Sequence, residues 1–409
     1  MKISFSPPYI DQSVINEVVD SLQSGWITTG PKCKLLEKEL RSYTGAQQVL
    51  TVNSWTSGAI LMLSWLGVKP GDEVIVPAYT YSATALSVLH AGATPVMVDI
   101  NEDFNISVEA IRKAISPRTK AIIPVDIAGF PCDYKNIMDL VLSPEIKGLF
   151  EPTSEVQKKL GRILVLNDAA HSLGAQYSFG VKTGTETDVT IFSLHAVKNV
   201  TTAEGGAICL NLPEPFDNEA LYIELRQRSL NCQTKDAFSK SKAGGWRYDI
   251  TGLGMKCNLA DVNASIGLAQ IRQYPYLLSQ RKRVFSLYSQ LLGVYNWAIL
   301  PPAVQGEKES SYHIFALRIK GITEEQRDRI IEEITKREVA VNVHFIPMPL
   351  LSFFKNLGYK MEDYPNAYTL FSQEISLPIY PQLTDDQVSY VAHTVVEAYN
   401  CICGSYINS

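Results

Sequence analysis

Several things are missing from this chain of 409 residues, and each absence narrows its reading. There is no Cys-x-x-Cys pair. The seven cysteines, at 33, 132, 209, 232, 257, 401 and 403, are odd in number and widely scattered, so neither a zinc site nor a disulfide framework is expected, and they read as reduced thiols. No excess of positive charge exists either. A net charge of −5 supplies no broad basic field for nucleic acid, although a local basic pocket for a phosphorylated ligand remains open. No apolar run reaches membrane-spanning length, residues 58–68 being the longest, and the opening MKISFSPPYIDQSVI lacks the apolar stretch of a secretory signal. A cytoplasmic protein without a membrane partner is the expectation. No GxGxxG turn follows an early strand, which counts against a nicotinamide-dependent dehydrogenase, and no internal repeat or low-complexity tract is present.

What is present is the composition of a packed protein, 46% hydrophobic and 19% charged, with length for two or three domains. After an opening apolar run at 48–52, short runs recur at 73–77, 95–100, 121–125, 163–166, 189–192 and 207–210, with helical patterns between several of them, as at 107–115 and 134–142. This alternation predicts an α/β fold whose large sheet is mostly parallel and buried on both faces. An amphipathic helix is predicted over 11–24, with Gly25 at its stop. Beyond residue 255 a long helix is expected at 259–292, followed by strand 312–319, helix 324–337, strand 339–345 and a closing helix from 385. The chain therefore divides into a large domain, 1–255, and a smaller C-terminal α/β domain, 256–409. The weakly periodic stretch 142–161 reads as a surface excursion.

Open α/β sheets bind ligands beyond the carboxyl ends of their strands. Three such ends are chemically distinctive: Asn167-Asp168-Ala-Ala-His171, Ser193-Leu-His195-Ala-Val-Lys198-Asn199, and Asn53-Ser54-Trp55-Thr56-Ser57-Gly58. Together they offer an acid, an amine and a set of hydroxyls. Taken singly each has an ordinary reading, since a lysine after a strand is usually a solvated charge, Asp168 could cap the turn 169–173, and Ser-x-Thr commonly caps a helix.

Six segments in order change that weighting: GWITTGPK (25–32), PAYTYSATALSVLHAGATPVMVDI (77–100), TKAIIPVDIAGFPCD (119–133), NDAAHSLGA (167–175), FSLHAVKNVTTAEGGAI (192–208) and KCNLADVNASIGLAQI (256–271). Over nearly its whole length the sequence resembles the DegT-type nucleotide-sugar aminotransferases, which have the fold-type I architecture and use pyridoxal 5'-phosphate (PLP). The resemblance implies that Lys198 is the amine joined to the cofactor aldehyde and that Asp168 pairs with the pyridine nitrogen. It further implies a phosphate held by Ser54, Trp55, Thr56 and Ser193, a ring stacked by Tyr81, and a ring hydroxyl bonded by His171. Asn258 resembles the asparagine that reaches the phosphate in the neighbouring subunit, which implies a homodimer with shared sites. His344 and the pair Tyr312-His313 resemble residues near the sugar, and Trp26, Thr28 and Thr29 resemble the loop at the mouth of the site.

The implied reaction is transfer of an amino group from glutamate, released as 2-oxoglutarate, to a nucleotide-linked keto-sugar. Relatives that dehydrate sugars carry histidine where Lys198 stands, which favours amination. The motifs ITTGP, FSLHAVKN and KCNLADVNASI are most similar to those of enzymes acting at a 4-keto position, such as the one forming UDP-4-amino-4-deoxy-arabinose; a 3-keto substrate is the alternative, and a PLP-binding regulator without catalysis is a third reading. Departures from the family pattern include the bulky Trp55, the long 142–161 stretch, and Leu230-Asn231 where a His-Gly pair is common.

Overall fold

The apolar runs become the strands of one seven-stranded sheet in a computed structural model that describes residues 1–235 and 246–404. They are β1 (Gln48–Val52), β2 (Glu73–Pro77), β3 (Thr94–Val98), β4 (Thr119–Ile122), β5 (Leu164–Asp168), β6 (Val189–Ser193) and β7 (Gly206–Leu210), arranged in the order β1-β7-β6-β5-β4-β2-β3. Strand β2 pairs in parallel with β3 and β4, β4 with β5, and β5 with β6; only β7 runs against its neighbours β6 and β1. The mostly parallel sheet predicted from the alternation is present. Its central strands are apolar on both faces because helices cover both, and β5 is buried along its whole length.

Local signals explain the helices. Helix α1 (Gln12–Gln23) starts where Asp11 accepts a hydrogen bond from the Val14 amide. Helix α2 (Pro31–Thr44) has proline in its first turn. Helix α3 (Trp55–Leu66) is capped by the Ser54 hydroxyl, which accepts from the Ser57 amide, and ends at Gly67, whose φ of 75° is left-handed. Helix α4 (Ala83–His90) follows β2. The long helix α5 (Asp261–Leu292) serves two cores: Ala264, Ile271 and Tyr274 pack with Leu36 and Leu40 of α2, whereas Val284, Phe285, Tyr288 and Leu292 pack under the second sheet. That sheet is antiparallel, ordered β8 (Ala298–Ile299), β9 (Phe315–Ile319), β10 (Glu374–Leu377), and is backed by α6 (Glu324–Lys336) and α7 (Asp385–Cys403), each opened by a Thr-x-x-Gln capping box. The change of core falls within α5, and Met348, Phe354 and Leu370 from the C-terminal part return to the large core.

Two expectations about elements need correction. Residues 339–345 form no strand; they make single bridges, Val339 with Ile3 and Asn342 with Ser376, because the His344 backbone is taken by side chains, its amide donating to Glu374 (3.0 Å) and its carbonyl accepting from the Tyr79 hydroxyl (2.5 Å). The strand expected from 312 begins at Phe315, since Tyr312 has a φ of 55° that leaves the extended region. Residues 142–161 lie between β4 and β5 and are mostly exposed, as expected of a surface excursion, and they hold two short helices, Pro144–Leu149 and Glu155–Leu160, with Ser154 and Gln157 donating to the Leu66 carbonyl that ends α3. Among the described residues no helix is long and apolar enough to cross a membrane.

Candidate active site

The carboxyl ends of β1, β5 and β6 meet the start of β7 at a cavity of about 460 Å³, closed on its other side by residues from 313–314, 344–345 and Ile379. Its size is that of a small-molecule site. Lys198 and Asp168 both line it.

Asp168 ends β5 and is buried at 5% exposure. Its Oδ2 accepts from Thr84 Oγ1 (2.9 Å) and its Oδ1 from the Ala170 amide (3.2 Å), so it caps the following turn and faces the cavity at once. Burial pushes its carboxyl up to about 7; the two hydrogen bonds and the charge of Lys198 pull the other way, and buried Asp126 adds to the rise.

Lys198 lies five residues past the end of β6, in a turn where its amide donates to the His195 carbonyl (2.9 Å). The turn is tied down by the next residue. Asn199 Nδ2 donates to the Ser311 carbonyl (2.8 Å) and to the Tyr274 hydroxyl (3.1 Å), while its Oδ1 accepts from His313 Nδ1 (2.8 Å). Lys198 Nζ has no hydrogen-bond or ion-pair partner among the described residues, and burial brings the amine down to about 8, against the opposing pull of Asp168. An unpaired amine with a lowered value is suited to attack a carbonyl and to carry a proton near neutral pH.

Ser54, Trp55 and Thr56, which also line the cavity, form the amino end of α3, and Ser193 closes β6. Free backbone N–H groups and the positive end of the helix dipole make this an anion seat. A Cβ on Gly206 would stand 2.7 Å from the Ser54 carbonyl carbon and 2.8 Å from the Trp55 nitrogen, so glycine is needed for β7 to come this close beneath the seat. Amine, acid and anion seat on the walls of one cavity fit a pyridoxal ring with a phosphate tail.

Four histidines line the cavity, His171, His195, His313 and His344. The Ala128 amide donates to His171 Nδ1 (3.3 Å), which leaves the ring proton on Nε2; Phe345 stacks on the ring at 5.7 Å and His313 lies 4.6 Å away. Burial, with Lys198 and a neighbouring histidine adding to it, holds His171 and His313 well below their ordinary value, and burial with the charge of Lys198 brings His344 down to about 4, so these three are neutral. Tyr81 lines the cavity 63% exposed, with its ring 5.9 Å from that of Phe345.

Not every expected residue reaches this cavity. Trp26 and Thr28 stay in the loop between α1 and α2, where Trp26 Nε1 donates to the Thr29 carbonyl (3.2 Å) and the Thr28 carbonyl accepts from the Asp261 amide (3.3 Å). Asn258 lies beside β1, its Nδ2 donating to Thr29 Oγ1 (2.5 Å) and its Oδ1 accepting from Lys256 (2.5 Å), and it does not line the cavity of its own chain.

Other residues line the site without having been marked in the sequence. Thr84 orients Asp168, and its position three residues past Tyr81 is the only local signal for it. Phe5 stacks on His344 at 5.5 Å, and Ser6 Oγ donates to the Val197 carbonyl (3.3 Å), so the N-terminal segment forms part of the wall. Nothing in MKISFSPP signals this, because the contacts join residues some two or three hundred positions apart.

Comparison with known proteins places this geometry in context. The description of the DegT/DnrJ/EryC1/StrS aminotransferase family matches residues 8–396. Spr1654 from Streptococcus pneumoniae, solved in PLP and PMP forms, superposes with a TM-score of 0.94 at 43% identity in its PMP form, covering 98% of this chain and 100% of that one. PseC from Helicobacter pylori, an aminotransferase involved in the biosynthesis of pseudoaminic acid, superposes with a TM-score of 0.86 at 25% identity, covering 98% and 100%. The Bacillus subtilis spore coat polysaccharide biosynthesis protein SpsC is 33% identical over 96% of both chains.

Proposed function

The chain belongs to the DegT/DnrJ/EryC1/StrS aminotransferase family, and from that premise we propose that it transfers an amino group from glutamate to a nucleotide-linked 4-keto deoxysugar, in the cytoplasm and as a homodimer. It is a PLP-dependent sugar aminotransferase. The observation that carries the reading is the meeting of Lys198, Asp168 and the amino end of α3 on one cavity.

When bound, PLP supplies an aldehyde that takes up amino groups and a ring that withdraws electrons from the carbon next to nitrogen. The side chains do the rest. Lys198 Nζ would hold the cofactor between turnovers and, once freed, would take a proton from the substrate carbon or return one to it; with its value brought down to about 8, a useful share of the amine is uncharged at neutral pH. Asp168 holds a proton at the ring nitrogen, and Thr84 keeps the carboxylate aimed. His171 would offer its Nε2–H to the ring hydroxyl, Tyr81 would cover the ring, and Ser54, Trp55, Thr56 and Ser193 would hold the phosphate. His344 meets the sugar. Asn258, which does not line the cavity of its own chain, serves the partner's site, and Trp26 and Thr28 form the mouth of that shared site; the units 1–255 and 256–409 close on the cavity as two domains.

A panel of UDP- and dTDP-linked 4-keto and 3-keto sugars assayed with glutamate tests the substrate. Turnover confined to 4-keto sugars is expected; turnover of 3-keto sugars alone replaces this reading with its neighbour. A bound chromophore near the visible edge that does not bleach on adding glutamate would mean a cofactor-binding regulator instead.

A further inference from the structure

One buried acid beside the cavity has no part in the reaction just described. Glu374 opens β10, is fully buried, and sits two residues from Ser376, whose backbone pairs with Asn342. Ser376 Oγ is 2.5 Å from Glu374 Oε1 and 2.9 Å from His344 Nδ1, and the His344 amide donates to the other carboxyl oxygen, Oε2, at 3.0 Å. His344 is held on its remaining sides as well, by Phe5 stacked on its ring (5.5 Å), by the edge contact with Phe345 (5.0 Å), and by Tyr79 donating to its carbonyl. Nε2 is the ring nitrogen left to the cavity it lines.

We infer that Glu374, Ser376 and His344 form a proton relay in which the protonation state of the carboxyl selects the imidazole tautomer that meets the substrate. The assignment follows from donor counting. With Glu374 ionised, the Ser376 hydroxyl donates to Oε1, His344 Nδ1–H donates to Ser376 Oγ, and Nε2 presents a lone pair. With Glu374 protonated, Oε1–H donates to Ser376 Oγ, the hydroxyl turns to donate to Nδ1, and the ring proton sits on Nε2. Passing from the first state to the second takes up one proton at Nε2 from the cavity, moves the Nδ1 proton to Ser376 and moves the serine proton to Glu374. Charge and protons balance, and the cavity sees an acceptor become a donor. A substrate hydroxyl or keto oxygen distinguishes the two, and it is on this point alone that the inference rests on the proposed reaction.

The surroundings set where the change falls. Burial raises Glu374 to about 8, while the nearby Arg327 of α6, which donates to the Glu374 and Phe371 carbonyls, pulls the other way. Arg318, the register partner of Glu374 on β9, is engaged with Glu102. Tyr79, Lys198, His171 and His313 are the other titratable groups around the relay, and the histidines stay neutral, so the carboxyl is the member that titrates. Glu374 and Ser376 are positioning residues; neither lines the cavity.

Glu374→Gln gives a sharp test. The His344 amide requires an oxygen at Oε2, so the glutamine NH₂ must face Ser376, donate to its oxygen, turn its hydroxyl toward Nδ1 and hold the proton on Nε2 at every pH. Neutron diffraction from deuterated crystals of the PLP-loaded full chain at about pH 6 and about pH 9.5 reads the sites directly. The expected result is deuterium on His344 Nε2 at the lower pH and on Nδ1 at the higher in the wild type, on Nε2 at both in Glu374→Gln, and no dependence on pH in Ser376→Ala. A wild-type ring with the same nitrogen deuterated at both values overturns the relay, as does a Glu374→Gln ring that switches like the wild type. Tautomer switching in a chain that fails to transaminate any keto-sugar leaves the relay standing and removes the proposed reaction instead.

Discussion

At single residues, the chemistry depends on groups whose protonation the protein has shifted. Burial moves Asp168 up and Lys198 down until the two lie about one unit apart, at about 7 and about 8, and each is partly restored by the other's charge. A protonated pyridine nitrogen beside Asp168 would supply a positive partner and draw the carboxyl down again. Lys198→Ala is expected to abolish turnover, checked by single-turnover kinetics with glutamate; a variant with the full rate refutes the assignment. Thr84→Val removes the hydroxyl that donates to Asp168 at 2.9 Å. A hydrogen bond to a charged acceptor contributes on the order of 1.5–3 kcal/mol, so kcat should fall by about tenfold to a hundredfold with little change in KM for glutamate. A rate within twofold of wild type would show that Asp168 does not depend on Thr84.

At the scale of elements, the amino end of α3 and the start of β7 form one device. Ser54→Ala removes a helix cap, a loss of about 1 kcal/mol in the cofactor-free protein, and should weaken PLP retention beyond that, measured by equilibrium dialysis against thermal melts. Gly206→Ala places a methyl group where backbone atoms already stand within 3 Å, and should lower stability by about 1–3 kcal/mol and displace the phosphate seat. Unchanged cofactor affinity in both variants would move the anion site elsewhere.

How much of this could be read in advance also differs by element. Strand β2, the helix Tyr134–Leu142 and the capped helix α1 follow from local periodicity and turn chemistry, and Lys198, Asp168 and Ser54 stand at strand ends where the fold directs attention. Residues 339–345 alternate like a strand but form none, since their hydrogen bonds go to side chains distant in sequence. Thr84 and Phe5 were illegible for the same reason, each mattering through one long-range contact that leaves no periodic trace, and Glu374 matters through its joint hold on Ser376 and the sequence-distant His344 amide.

For the whole molecule, the buried acids and histidines predict an unusual dependence of stability on pH. Asp168 and Glu186, at about 7, and Glu374, at about 8, lie above their ordinary values, so the folded state holds protons that the unfolded chain has released. Stability of the cofactor-free protein should therefore fall as pH rises from about 6.5 to about 8, and Glu374→Gln should lessen the fall. Below about 6.5 the sign of the histidine contribution is opposite. His171, His313 and His344 refuse protons that the unfolded chain accepts, which removes stability as pH drops. Urea denaturation across this range checks both, and stability that rises steadily to pH 8.5 would contradict the first.

The central claim is that one amine, Lys198, holds the cofactor against Asp168 in this cavity. Reduction of the PLP-loaded protein with borohydride, followed by proteolysis and mass spectrometry, tests it most directly, because reduction makes the attachment permanent. A pyridoxyl group is expected on the peptide containing Lys198, lost when glutamate is added before the borohydride; a pyridoxyl group on a different lysine, or on none, rules Lys198 out.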